Sequence, residues 1–183
     1  MKSFLLSALS HRYASLGLAA LTSELPFQWL VWEPGAWAVP RDAKQTTVLT
    51  RANSEQPGGL GEALVMALAP ARTGTGQLTF GRSENCALHI NDATLSQLHL
   101  VFMREAGGDW TVRDAGSTNG SWVNEVRLVR GEPVTLVSGA RLQAGGVHLS
   151  YYSGPDLFSR LQLEAARASA RGGSKVSPVP VRP

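Results

Sequence analysis

The chain has 183 residues, 43% hydrophobic and 17% charged, which excludes a disordered polar chain and leaves room for one core with extensions. Its net charge of +3 lies away from the middle: residues 60–153 hold seven Arg against eight acids, whereas residues 154–183 hold four Arg and one Lys against two acids. This argues against a basic nucleic-acid surface on the central part, and a single cysteine, Cys86, excludes an intramolecular disulfide or a Cys-based metal cluster within one chain.

The opening residues 1–9 imitate a signal peptide, but His11 and Arg12 interrupt the apolar run. No stretch of about twenty apolar residues follows to span a bilayer. The expectation is a soluble, intracellular protein located in the cytoplasm.

Within residues 4–23, apolar side chains recur at Leu5, Leu9, Tyr13, Leu16 and Ala20, which predicts a packing helix ended by Pro26. Residues 27–32 and 36–39 flank Glu33-Pro34-Gly35 and predict a hairpin carrying Trp29, Trp32 and Trp37. Such dense aromatics are either buried or held for a partner, and burial is the commoner use. A further strand at 46–50 and a linker at 51–60 complete this part.

Short strands follow at 62–69, 77–80, 87–90, 98–103, 110–113, 133–137, 141–143 and 147–152, separated by Gly-rich and polar turns. Even spacing without helical period predicts a mainly β chain forming an antiparallel β-sandwich. Gly154-Pro155-Asp156 opens a helix to about residue 170, with Leu157, Phe158, Leu161 and Ala165 on one side. Residues 172–183 contain three prolines and no periodicity, predicting an extended tail. The expected organisation is therefore a helix plus Trp-rich hairpin extension and linker over 1–57, a sandwich over 58–153, and a C-terminal helix and Pro-rich tail over 154–183.

Three polar clusters interrupt the alternation: Gly81-Arg82, then Ser96-Gln97-Leu98-His99, then residues 114–121 from Asp114 to Ser121. Each falls where a strand meets a loop, so an antiparallel sheet brings them to one edge. A forked cation beside hydroxyls and a carboxamide suits a phosphate better than it suits catalysis.

At these residues the chain resembles the forkhead-associated (FHA) family, whose pattern is G-R, S-x-x-H and D-x-x-S-x-N-G-[TS]. The match consists of Gly81-Arg82, Ser96 with His99, and Asp114, Ser117, Asn119, Gly120 and Ser121, within about residues 58–153. The resemblance implies a twisted sandwich whose end loops bind a phosphothreonine peptide. Arg82 and Ser96 would hold the phosphate, Thr118 and Gln97 would add hydrogen bonds, and Asn119 would hold the peptide backbone. His99, Gly81, Asp114, Ser117 and Gly120 would support the loops. One departure is Asn124-Glu125, where the family commonly has Asn-Gly.

The implied function is a phosphothreonine-binding signalling adaptor, not an enzyme, whose partner is a Thr-phosphorylated protein, a Ser/Thr kinase or its substrate. No cofactor, metal or nucleic acid is expected. A hydrolase triad of Ser96, His99 and Asp114 fails because Ser96 is not on a strand-to-helix elbow, and the scattered His89, His99 and His148 have no ligand spacing. The rival reading is a phosphate-independent scaffold using the sandwich surface and the tryptophan-rich segment. Residues 1–50 are expected to form a second surface or a packed extension of the sandwich.

Overall fold

The computed structural model describes residues 2–33, 63–69 and 76–172. In chain order these form β1 (Ser3–Leu5), α1 (Leu6–Leu16), α2 (Leu18–Glu24), β2 (Gln28–Trp32), β3 (Leu64–Leu68), β4 (Gln77–Gly81), β5 (Leu88–His89) and β6 (Leu100–Arg104). There follow β7 (Trp110–Asp114), β8 (Ser121–Val123), β9 (Val126–Arg127), β10 (Val134–Thr135), β11 (Arg141–Ala144), β12 (Val147–Tyr152) and α3 (Gly154–Gly172). No helix among the described residues is long and apolar enough to cross a membrane.

The strands make two sheets, one ordered β1-β3-β2-β12-β11-β8-β9 and the other β10-β7-β6-β4-β5. Strand pairs are antiparallel except β4 with β5, and the two sheets face each other as a β-sandwich. Between them pack Leu30, Trp32 and Met66 from one sheet and Phe80, Phe102 and Trp110 from the other. The Trp110 indole N–H also donates to Gln28 Oε1 at 3.1 Å, tying the sheets at one point.

The larger sheet is covered on its other face as well. Side chains alternate across a strand, so Trp29 and Val31 leave β2 opposite to Leu30 and Trp32. They pack with Leu6, Leu9 and Tyr13 of α1 and with Leu157 and Leu161 of α3. β2 and β3 are thus buried on both sides, which is why they read as continuous apolar runs. The result is three layers: helices, seven-stranded sheet, five-stranded sheet. Trp29 and Trp32 are 0% and 1% exposed, which removes them from any partner surface.

The amino-terminal helix differs from its expected form. Residues Ser3–Leu5 pair with β3 as a strand, and Gly17, with φ of +88°, divides the remainder into α1 and α2. A helix starting at Leu6 buries Leu6, Leu9, Ser10 and Tyr13 and leaves Leu5 and Leu16 exposed. The buried Ser10 hydroxyl donates to the Leu161 carbonyl at 2.8 Å, joining α1 to α3. Arg160 of α3 reaches Glu33 just beyond β2, with Nη2 to Oε2 at 2.9 Å.

The hairpin strand expected at 36–39, with Trp37, the strand at 46–50, the linker at 51–60 and the tail beyond 172 lie outside the described residues, as does the expected boundary at 57/58. Along β2 both edges are taken, one by β12 and one by β3. Residues 3–32 are therefore built into the sandwich rather than appended to it. The sequence could not show this, because the strands that flank β2 are far from it along the chain.

Candidate functional site

The three polar clusters meet at one end of the five-stranded sheet. Gly81 closes β4, and the chain leaving it runs alongside the loop that precedes β6. The Arg82 N–H donates to the Ser96 carbonyl at 2.9 Å and the Ser83 N–H to the Gln97 carbonyl at 3.0 Å. This approach requires glycine: a Cβ on Gly81 would lie 2.3 Å from the Gln97 carbonyl oxygen. The requirement is space, because Gly81 has no positive φ.

The Arg82 side chain is exposed and forms no ion pair among the described residues. Across from it, the Thr118 N–H donates to Ser96 Oγ at 3.0 Å. The two hydroxyls, Ser96 Oγ and Thr118 Oγ1, are 3.4 Å apart, longer than a full-strength O–H···O bond. Both hydrogens are thus free to turn toward an incoming acceptor. Gln97 is exposed, and its side-chain amide has no partner among the described residues.

His99, wholly buried, sits behind this edge. Its Nδ1 accepts the Ser96 N–H at 3.1 Å and its Nε2 meets the Gly120 carbonyl at 3.1 Å. Nδ1 as acceptor assigns the ring hydrogen to Nε2. Burial lowers the imidazole pKa below its ordinary 6.5, against the opposing influence of the Gly120 carbonyl and the Asp114 charge. With both nitrogens engaged on backbone, His99 has none left to take a proton from Ser96 Oγ, so Ser96, His99 and Asp114 do not assemble as a triad.

Asp114 holds the third loop from within. Its Oδ1 accepts the N–H groups of Gly116 and Ser117, each at 2.7 Å. Its Oδ2 accepts the Ser117 hydroxyl at 2.6 Å and the Ser121 hydroxyl. Burial alone would raise its pKa, but the hydrogen bonds from Ser117, Ser121 and Gly116 hold it below the ordinary 3.8. Ser117 Oγ also accepts the Gly120 N–H at 3.0 Å. Gly116 and Gly120 have φ of +93° and +82°, a backbone state open to glycine at little cost. The loop is thereby fixed with Thr118 and Asn119 exposed at its tip.

Asn119 donates through Nδ2 to the Thr94 carbonyl at 2.7 Å, leaving Oδ1 without a partner among the described residues. Thr94 thereby belongs to the site, although it lies in none of the three polar clusters. Its hydroxyl donates to Asp92 Oδ1 and accepts the Gly146 N–H at 2.7 Å. The available signal was Asp92-x-Thr94, an Asx-turn pattern in which the carboxylate caps the amide two residues on. Arg127 and Arg130, which no sequence motif marks, pack against Gly120 and Gly116 and line a cavity with them.

The profile of the FHA domain family matches residues 78–145. Over 51 residues the chain is 43% identical to the E3 ubiquitin-protein ligase rnf8-A of Xenopus laevis, a stretch covering 28% of this chain and 9% of that protein. Over 78 residues it is 36% identical to the glycogen accumulation regulator GarA of Mycolicibacterium smegmatis, covering 41% of this chain and 45% of that one. The chain thus spans less than half the length of either relative. Among solved structures, the FHA domain of an Arabidopsis thaliana hypothetical protein aligns with a TM-score of 0.46 at 18% identity, over 69% of this chain and 86% of that chain.

Proposed function

We propose, from the match of residues 78–145 to the FHA domain family, that the chain is a phosphothreonine-peptide binding module acting as a cytoplasmic signalling adaptor, its partner a Thr-phosphorylated protein, a Ser/Thr kinase or its substrate. Arg82 supplies the charge, Ser96 and Thr118 supply hydroxyl donors, Gln97 adds an amide, and Asn119 meets the peptide backbone through its open Oδ1. His99, Asp114, Ser117, Gly81 and Gly120 keep these groups in place.

The observation that carries this reading is the Ser96–Thr118 pair beside Arg82, which forms no ion pair among the described residues. Two hydroxyls at 3.4 Å with redirectable hydrogens, on loops locked from behind, are preorganised donors for an oxygen-rich dianion. A phosphate brings a charge of about −1.5 to −2 at neutral pH. Each hydrogen bond to such a charged group contributes roughly 1.5–3 kcal/mol. Titration of the full chain with a degenerate phosphothreonine peptide library and its unphosphorylated counterpart tests the proposal. Binding restricted to the phosphorylated set supports it; equal binding of both sets overturns it in favour of a phosphate-independent scaffold.

A further inference from the structure

Beside the 116–120 loop lies a cavity of about 390 Å³ whose wall includes Gly116, Ser117, Gly120, Arg127 and Arg130, and none of Arg82, Ser96, Thr118 and Asn119. Both guanidinium groups are laid over glycines. A Cβ on Gly116 would be 2.5 Å from Arg130 Nε and Nη2, and one on Gly120 would be 3.3 Å from Arg127 Nε and Nη2. Arg127 is further steadied over the Trp122 ring, 5.8 Å from its centroid.

Asp114 is the one carboxylate among the described residues that lines the cavity, and its charge offsets part of this pair without bonding to either arginine. Its two oxygens already accept four hydrogen bonds from the loop and β8. Among the described residues neither Arg127 nor Arg130 takes part in an ion pair. Two forked cations lining one cavity with a single carboxylate leave it net positive, which favours an entering anion. The same short loop carries Thr118 and Asn119 at its tip, so an anion in this cavity is within reach of a ligand that also occupies the first site.

We infer that Arg127 and Arg130 form a second anion subsite, which takes a carboxylate or a second phosphate from the same partner protein whose phosphothreonine meets Arg82. The inference rests on the phosphothreonine reading above. The subsite is open to water, so a free ion gains little there. A group tethered to an already bound peptide arrives at millimolar effective concentration and gains more. The subsite therefore acts as a selector among phosphothreonine sequences.

The test starts from a phosphothreonine peptide with neutral flanks that binds the full chain. A single Asp, and separately a single phosphoserine, is walked through the flanking positions, and affinities are measured for the natural chain, Arg127→Gln/Arg130→Gln and Arg127→Lys/Arg130→Lys. Expected is a gain of about threefold for Asp and about tenfold for phosphoserine at one or two adjacent positions, shrinking at high salt. The Gln variant loses the gain, the Lys variant keeps part of it, and affinity for the neutral-flank peptide stays the same in all three. A gain for phosphoserine alone assigns the source as a second phosphate; a gain for both shows that a carboxylate suffices. The inference is overturned if no position gives a gain, if the gain survives in the Gln variant, or if the Gln variant loses neutral-flank affinity equally. Failure of the parent reading looks different: no phosphothreonine peptide then binds the natural chain, and the subsite falls with it.

Discussion

The Ser96 amide donates to His99 Nδ1 while His99 Nε2 meets the Gly120 carbonyl, so one buried imidazole ties the loop before β6 to the loop before β8. This makes the site sensitive to acid. Burial lowers the His99 pKa below 6.5, so between that value and the lowered one the unfolded chain binds the proton that the folded chain refuses. Stability from this group is fully present above pH 6.5 and is lost as pH falls below it, down to the folded pKa. Protonation also places a hydrogen on Nδ1, against the Ser96 N–H. Thermal unfolding of the free protein is expected to show a decline beginning near pH 6.5 that is absent in His99→Ala. That variant is also expected to be less stable by about 1–3 kcal/mol at neutral pH and to bind phosphopeptide more weakly. An unchanged stability with lost affinity would place His99 against the ligand instead.

Arg82→Ala is expected to weaken phosphothreonine peptide binding by roughly 100-fold or more, since two charge-assisted bonds are lost together. Arg82→Lys is expected to weaken it nearly as much, because the ammonium keeps the charge without the planar fork. The side chain is exposed and unpaired among the described residues, so the melting temperature is expected to stay within about a degree or two in both. A melt that collapses in Arg82→Ala would make this arginine structural.

The sandwich class and the position of the polar clusters were legible in the sequence because both depend on local signals. Alternation marks strands, and Gly81-Arg82, Ser96-x-x-His99 and the 114–121 run mark strand ends. Membership of β2 in the central sheet was not legible: its partners are β3 and β12, and nothing near Trp29 in sequence selects them. The helix phase slipped because the positive φ at Gly17 and the pairing of Ser3–Leu5 are set by the surrounding fold. Arg127 and Arg130 carry no motif, and only the backbone brings them over Gly120 and Gly116.

Gly81 separates crowding from conformational strain. Gly81→Ala places a methyl 2.3 Å from the Gln97 carbonyl oxygen and 2.9 Å from that of Ser96, so the two loops must part. Overpacking of this kind costs about 1–3 kcal/mol, and the Arg82-to-Ser96 backbone bond is the first contact to stretch. Chemical denaturation is expected to show that loss, and phosphopeptide affinity is expected to fall although no proposed ligand contact is removed. Unchanged stability together with unchanged affinity would mean the loops yield freely.

The turn between β8 and β9 departs from the Asn-Gly habit and carries strain. Asn124 and Glu125 have φ of +49° and +69°, the left-handed pair that a two-residue hairpin turn needs. Asn124 fits: its Oδ1 accepts the Arg141 N–H at 2.9 Å. Glu125 is exposed and endures that backbone state at roughly 1–2 kcal/mol. Glu125→Gly is expected to stabilise the protein by about 1 kcal/mol, raising the melting temperature by about 2–4 °C, with phosphopeptide affinity unchanged. A lower melting temperature would show that Glu125 holds a contact outweighing its strain.

Removal of residues 1–50 is expected to abolish folding rather than trim an appendage. It deletes β2, which is paired along both edges, and with it Leu30 and Trp32 from between the sheets. It also strips α1 from α3, exposing Leu157 and Leu161, both 0% exposed in the intact chain. Leu161→Ala gives a milder probe of the same layer. It is expected to cost about 2–5 kcal/mol, yet leave phosphopeptide affinity within a few-fold, because the helices cover the larger sheet while the polar clusters lie at the end of the smaller one. Effects at sites this separate usually add to within about 0.5 kcal/mol. A truncated protein that unfolds cooperatively, as followed by near-ultraviolet circular dichroism, and still binds phosphothreonine peptide would show that β3 and β12 close the sheet without β2.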